Sequence, residues 1–122
     1  MSQRGKRNTT DVAVVLQKAY EWNLWIHPHV EKFNKAYRPT LGHAIHTRSL
    51  DLLTHLTDAT YQSRNEAPLA AAVREINRLR YMLRLAKDLR LLPISSHEFA
   101  ANALDEMGRM SGGWLSPPCQ HS

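Results

Sequence analysis

Apolar residues recur every three or four positions in four stretches of the chain, and no stretch alternates with a period of two. Such spacing keeps one face of an α-helix apolar, so the pattern predicts four amphipathic helices and no strands. The first helix would bury Val12, Val15, Ala19, Trp22, Ile26, Val30 and Phe33, and the second would bury Leu41, Ile45, Leu52, Leu56 and Ala59.

Capping residues and prolines predict where the first helices begin. Thr10 or Asp11 can cap the first helix, and Pro28 should kink or divide it. Pro39 and Pro68 suit the first turns of the second and third helices, because a proline there loses no helical hydrogen bond.

The third helix should end near Leu92, and Ser95 and Glu98 have the spacing of a capping box for a fourth helix that runs to about Leu115. Since the connections are short, successive helices should be antiparallel. The predicted fold class is an all-α, antiparallel up-down-up-down four-helix bundle over residues 11–115. Residues 1–10 are predicted to be a flexible basic tail, and residues 116–122 a flexible C-terminal tail.

The third helix carries two apolar rows. The core row is Leu69, Ala72, Ile76, Leu79, Leu83 and Ala86, and the outer seam is Tyr81, Met82, Leu85, Leu89 and Leu92. One core cannot easily cover both, so either this helix is central or the outer seam is buried between subunits. We favour a subunit interface, because a four-helix bundle has no central helix.

The fourth helix is rich in small residues. Its predicted inward row is Phe99, Ala103, Met107, Met110 and Trp114, and the adjacent row is Leu104, Gly108, Ser111, Gly112 and Leu115. Glycine inside a helix is unfavourable, so Gly108 and Gly112 predict close approach of another helix. The alternative for Gly112 is the fraying end of the helix.

The distribution of charge indicates a type of binding partner. The chain has a net charge of +5, and between residues 74 and 90 six basic residues stand against two acidic ones. A cationic helix face is typical of nucleic-acid binding, and the candidate residues are Arg74, Arg78, Arg80, Arg84 and Lys87. The alternative is that they form ion pairs, for which Asp51, Asp58, Asp105 and Glu106 are candidate partners.

Length and composition exclude several classes of protein. A chain of 122 residues makes one domain, and its single cysteine, Cys119, cannot form a disulfide within the chain. There is no apolar run long enough for a membrane span and no signal-peptide pattern, so we expect a cytoplasmic protein.

No catalytic site and no cofactor or metal site is predicted. The seven histidines include no Glu-x-x-His pair of a di-metal bundle, and Cys119 has no ordered base beside it. The spacing of Arg90 and His97 matches that of some helical-bundle ribonucleases, but such a match arises easily by chance. We therefore do not expect an enzyme.

Two motifs resemble a known family. They are the Leu-Arg repeats around Arg80 and Arg84, and the run from Gly108 through Arg109 to Leu115. Together with Phe33, Lys35, Arg38, Leu41 and Gly42, they resemble the Avd family, the accessory variability determinants of diversity-generating retroelements. The similarity covers most of residues 12 to 115. The wider superfamily includes the intervening-sequence proteins of 23S rRNA genes, whose Asn-Ile-Ala-Glu-Gly signature is absent here.

The resemblance implies a four-helix bundle assembled as a ring-like homopentamer. It also implies a basic surface that binds RNA or DNA and a reverse transcriptase, and it adds Arg109 to Arg80 and Arg84 as a nucleic-acid contact. The function predicted from the sequence is therefore that of a non-catalytic accessory protein. The alternative is a structural homo-oligomer whose arginines form ion pairs between subunits.

Overall fold

A computed structural model describes the backbone of residues 2–115 and the side chains of residues 11–112. Four helices follow one another: α1 (Ser2–Glu31), α2 (His43–Tyr61), α3 (Glu66–Asp88) and α4 (Ile94–Leu115), with a π-helical turn (Arg38–Gly42) before α2. No strand occurs in residues 2–115, so the predicted all-α class and the number of helices are confirmed.

Each helix packs against the next one in the chain, and α4 returns to pack against α1. Contacts between α1 and α2 run in opposite directions along the two helices, because Trp22 bonds Ser49 whereas His27 contacts His46. Arg80 of α3 reaches Asp105, while a Cβ at Gly108, further along α4, would face Ile76, earlier in α3. Since α2 and α3 also pack together across a short connection, the order is up-down-up-down.

The core contains the apolar rows that the spacing predicts on the first three helices. All seven residues predicted for the first helix are buried, although Phe33 lies just after the end of α1, and so are all six residues of the core row on α3. On α2 the buried apolar residues are Ile45, Leu52, Leu56 and Ala59. Leu41 is partly buried and packs against this core.

The register of α4 differs from the prediction. Its buried residues are Ala100, Leu104, Met107 and Ser111, whereas Phe99 is 54% exposed. Phe99 lies on the side of α4 that faces α1 and packs its ring on Trp25, with 4.8 Å between ring centroids. Ala103 and Met110 are partly buried, and the side chain of Trp114 lies outside the described residues. The buried row of α4 therefore includes Leu104 and Ser111, which were predicted for the adjacent row, and does not include Phe99.

Two helix starts also differ from the prediction. α1 begins at Ser2, ahead of the cap predicted at Thr10 or Asp11, and it is not divided at Pro28. α4 begins at Ile94, so Ser95 is inside the helix rather than its cap, and the N–H of His97 donates to the carbonyl of Pro93. The predicted capping box is therefore wrong, because Pro93 precedes the helix and its carbonyl accepts the first helical hydrogen bond, which places Ser95 within the first turn.

The end of α3 has a defined cap. The N–H of Leu91 donates to the carbonyl of Ala86 at 2.8 Å, and that of Arg90 donates to Lys87 at 2.9 Å. These bonds form a Schellman motif, which needs a left-handed residue at Arg90, where φ is 62°. α3 consequently ends at Asp88, earlier than predicted, and the chain turns so that Leu92 is buried.

The predicted domain boundaries stay predictions. The C-terminal segment 116–122, which includes Cys119, lies outside the described residues. None of the helices in the described part of the chain is long and apolar enough to cross a membrane.

Candidate nucleic-acid interface on α3 and α4

The six basic residues predicted to contact nucleic acid lie at the surface but do not form one patch. Five of them, Arg74, Arg78, Arg80, Arg84 and Arg109, are exposed, and Lys87 is partly buried. On α3, Arg80 and Arg84 lie one turn apart on the side nearest α4, whereas Arg78 lies near Glu75, which faces α2. The basic surface is therefore divided between two sides of α3.

Ion pairs within the chain neutralise half of this set. Arg80 pairs with Asp105 at 3.3 Å, Arg78 with Glu75 at 3.2 Å and Lys87 with Asp88 at 3.8 Å. Among the residues whose side chains are described, the other three candidates, Arg74, Arg84 and Arg109, have no ion pair. These three are the cations available to an external anion.

A groove between α3 and α4 brings the best-placed candidates together. Arg80, Arg84 and the exposed ring of Tyr81 line it from α3, and His97 and Asp105 line it from α4. Two guanidinium groups and an aromatic ring are side chains that contact phosphates and stack on bases. We call this feature the α3–α4 groove.

Gly108 determines the position of Arg80 at this groove. A Cβ atom at Gly108 would lie 2.7 Å from Nη2 of Arg80 and 3.5 Å from Cγ2 of Ile76. The glycine therefore leaves room for a guanidinium group, not for the backbone of a neighbouring helix as predicted. At Gly112 a Cβ atom would meet no heavy atom of the described residues within 4 Å, so the predicted close approach is not found among them.

The outer seam is only partly on the surface. Tyr81, Leu85 and Leu89 are 72%, 48% and 37% exposed, but Met82 packs against the core and Leu92 is buried. Leu92 leaves the seam because the Schellman motif turns the chain after α3. The exposed part of the seam is thus Tyr81, Leu85 and Leu89.

A buried carboxylate that was not predicted from the sequence joins α2 to α3. The side chain of Glu75 is only 5% exposed; Nη1 of Arg48 donates to both of its oxygens at 3.1 Å. Arg78 adds a bond at 3.2 Å, and His55 lies 3.7 Å away. A signal was present, because Glu75 stands three residues after buried Ala72 and four before buried Leu79, where an apolar residue is expected.

A second polar network joins α1 to α2. Trp22 donates to Oγ of Ser49 at 2.9 Å, and the amide nitrogen of Asn23 donates to the carbonyls of Ala19 and Ser49. The amide oxygen of Asn23 then accepts from Nε2 of His27 at 2.7 Å.

That bond places the proton of a neutral His27 on Nε2, so its Nδ1 accepts from Nδ1 of His46. Nε2 of His46 also donates to Glu31 at 2.9 Å, so the network is satisfied when His46 carries both ring protons. Burial lowers the pKa of His27 from its usual value of 6.5, the neighbouring His46 lowers it further, and Glu31 opposes the shift.

Comparison with known proteins identifies one family. A family model described as bAvd-like matches residues 13–117. No curated protein and no solved structure matches the chain.

Proposed function

The chain belongs to the bAvd-like family, and from this membership we propose that it is a non-catalytic accessory protein of a diversity-generating retroelement. In this role it binds RNA or DNA through the basic surface of α3 and α4, acts in the cytoplasm and associates with the reverse transcriptase of the element. The match agrees with the resemblance carried by the Leu-Arg and Gly-Arg motifs.

The observation that carries the binding proposal is the α3–α4 groove. Arg84 is exposed there without a carboxylate partner among the described residues, Arg80 is one turn away, and the exposed ring of Tyr81 lines the same groove. Contacts to phosphates and to base faces carry little sequence information. Binding should therefore be strong at low salt and nearly independent of sequence.

Assembly as a homopentamer is the second part of the proposal. A ring needs two different surfaces that fit each other, since a subunit meets its neighbours through opposite sides. One surface is the exposed part of the outer seam. The other is the outward face of α1 and α2, where Tyr20, Leu24 and Leu50 are each at least half exposed. Apolar faces of this kind are unusual on a soluble monomer.

Nucleic-acid binding is tested by fluorescence anisotropy with labelled single-stranded RNA, single-stranded DNA and duplex DNA over a range of salt concentrations. Log affinity should fall linearly with log salt, with each neutralised phosphate contributing roughly 0.7 to 0.9 to the slope. Arg84→Gln should reduce both affinity and slope. The matched control is Arg64→Gln, an exposed arginine in the connection between α2 and α3. Equal effects of the two variants, or no binding at about 50 mM salt, would contradict the proposal.

Assembly is tested by light scattering. A pentamer of 14.0 kDa chains has a mass of about 70 kDa, and both Leu85→Glu and Leu24→Glu should dissociate it, because each places a charge in an apolar contact. Ile94→Glu is the control, since Ile94 is 69% exposed but lies on neither surface. A monomeric wild-type protein would refute the assembly.

The alternative function is a structural oligomer whose arginines pair between subunits. It is supported by the placement of Arg74 on the outward side of α3, which it shares with the exposed Leu85. If Arg74→Gln dissociates the assembly while nucleic acid is not bound, the structural role is correct. Co-expression with the reverse transcriptase encoded beside the gene tests the remaining partner, and the absence of co-purification would contradict that part.

A further inference from the structure

A second group of cations lies away from α3, where α1 passes into α2. Lys35, Arg38, His43 and His46 line an open groove there together with Glu31 and Pro39. We propose that this feature, the turn groove, binds a phosphate group, either of a nucleic-acid strand or of a free polyphosphate. With a nucleic acid as the source, the proposal extends the proposed function to a separate site.

The backbone of the turn is held by specific contacts. Oδ1 of Asn34 accepts from the N–H of Ala36 at 2.9 Å, and the carbonyl of Asn34 accepts from the N–H groups of Tyr37 and Arg38. Gly42 is buried, and a Cβ atom there would lie 3.0 Å from Cγ1 of Val30, so the turn packs closely on α1. Arg38 is therefore presented from a defined position.

Arg38 has an unused hydrogen-bond donor. Its Nε is buried and has no partner in the described part of the chain, although the residue as a whole is only partly buried and lines the groove. An unsatisfied buried donor is unfavourable, and for a charged group the cost is larger. Because Nε has almost no accessible surface, a phosphate oxygen in the groove would accept from it only after a shift of the side chain. Guanidinium groups bind phosphate through two parallel bonds.

The charge of the groove favours an anion. Glu31 is the one carboxylate among its described lining residues, and it is engaged by Nε2 of His46 at 2.9 Å. Lys35 and Arg38 take part in no ion pair among residues 11–112. Two cations without an ion pair in that range therefore stand against one engaged carboxylate.

The topology indicates how a nucleic-acid strand could contact the turn groove. In an up-down-up-down bundle the connection from α1 to α2 and that from α3 to α4 lie at the same end of the molecule. Arg90 and Lys87 are in or beside the second connection. A polyanion that crosses this end would therefore meet cations at both connections, with the exposed Tyr37 beside the turn groove.

The probes are a 12-nucleotide single-stranded RNA and sodium tripolyphosphate, each titrated into the full chain and followed by backbone amide chemical shifts. The amides of residues 34–43 should shift with the probe that binds. Arg38→Gln should weaken this binding about tenfold or more, because one charge-assisted bidentate contact is lost. Lys35→Gln, an exposed position that leaves the fold unchanged, should weaken it less, and Arg64→Gln should leave it unchanged.

The outcomes separate the two sources and the two proposals. Shifts with RNA alone identify a phosphodiester strand, and shifts with tripolyphosphate alone identify a free polyphosphate. RNA binding that shifts only α3 and α4 and depends on Arg84 would overturn the turn groove while supporting the proposed function. Equal weakening by Arg38→Gln and Arg64→Gln would also overturn it, since only net charge would then matter.

Discussion

The buried carboxylate of Glu75 permits a sharp test of what joins α2 to α3. Glu75 is 5% exposed and Arg48 is 26% exposed, and Arg48 also contacts Asp51 at 2.9 Å. Removing one of these two residues therefore leaves the other with a different set of charged partners. Without Arg48, a buried charge keeps only the half-exposed Arg78 and the more distant His55. Without Glu75, Arg48 keeps Asp51 and water.

This asymmetry determines the expected free energies of unfolding. Arg48→Met should destabilise the protein by about 3 kcal/mol, near the lower limit for stranding a buried charge, because Arg78 remains. Glu75→Leu should cost about 1 kcal/mol, since Arg48 stays paired and partly solvated. The double variant should lose much less than the sum, because no buried charge is left, which gives a coupling of about 2 kcal/mol.

The assay is guanidinium chloride unfolding followed by circular dichroism for the wild type, both single variants and the double variant. The slopes should agree, so that the midpoints report stability. Lys18→Met is the control, because Lys18 and Glu106 form a pair that is 33% and 49% exposed and should contribute less than about 1 kcal/mol. The reasoning is refuted if Arg48→Met costs no more than Glu75→Leu, or if the two losses simply add.

Three further predictions follow from single residues. Arg90→Gly should raise the free energy of unfolding by about 1 kcal/mol, because glycine adopts the left-handed conformation at φ 62° without strain; an unchanged denaturation midpoint would contradict this. Gly108→Ala should displace the guanidinium of Arg80 from Asp105, visible in the NMR signal of its side-chain Nε–H, while stability is unchanged or higher by roughly 0.5–1 kcal/mol. A loss of stability would mean that the backbone is crowded there. The lowered pKa of His27 means that the unfolded chain binds more protons as the pH falls below 6.5, so the free energy of unfolding should decrease with acidification over that range. His27→Gln should flatten this dependence in denaturation curves between about pH 8 and pH 5, and a slope equal to that of the wild type would be the opposing result.

The exposure of the candidate arginines could be predicted from the sequence, but their ion pairs could not. The surface position of Arg74, Arg84 and Arg109 follows from their place between apolar rows, and the structure leaves them without ion pairs in its described part. The pairing of Arg80 with Asp105 did not follow in this way, although Asp105 was a candidate. Several acidic residues were equally eligible, and the choice depends on how α4 is rotated against α3.

Local spacing by itself determined the four helices, the core rows of α1, α2 and α3, and the antiparallel order. The reason is that burial of a helix face depends on residues a few positions apart, and short connections leave one order of packing. Only the tertiary structure decided the register of α4, the burial of Leu92 and the pairing of Glu75 with Arg48. Each of these depends on a partner from another helix, or on a left-handed turn at Arg90, which no local period of apolar residues encodes.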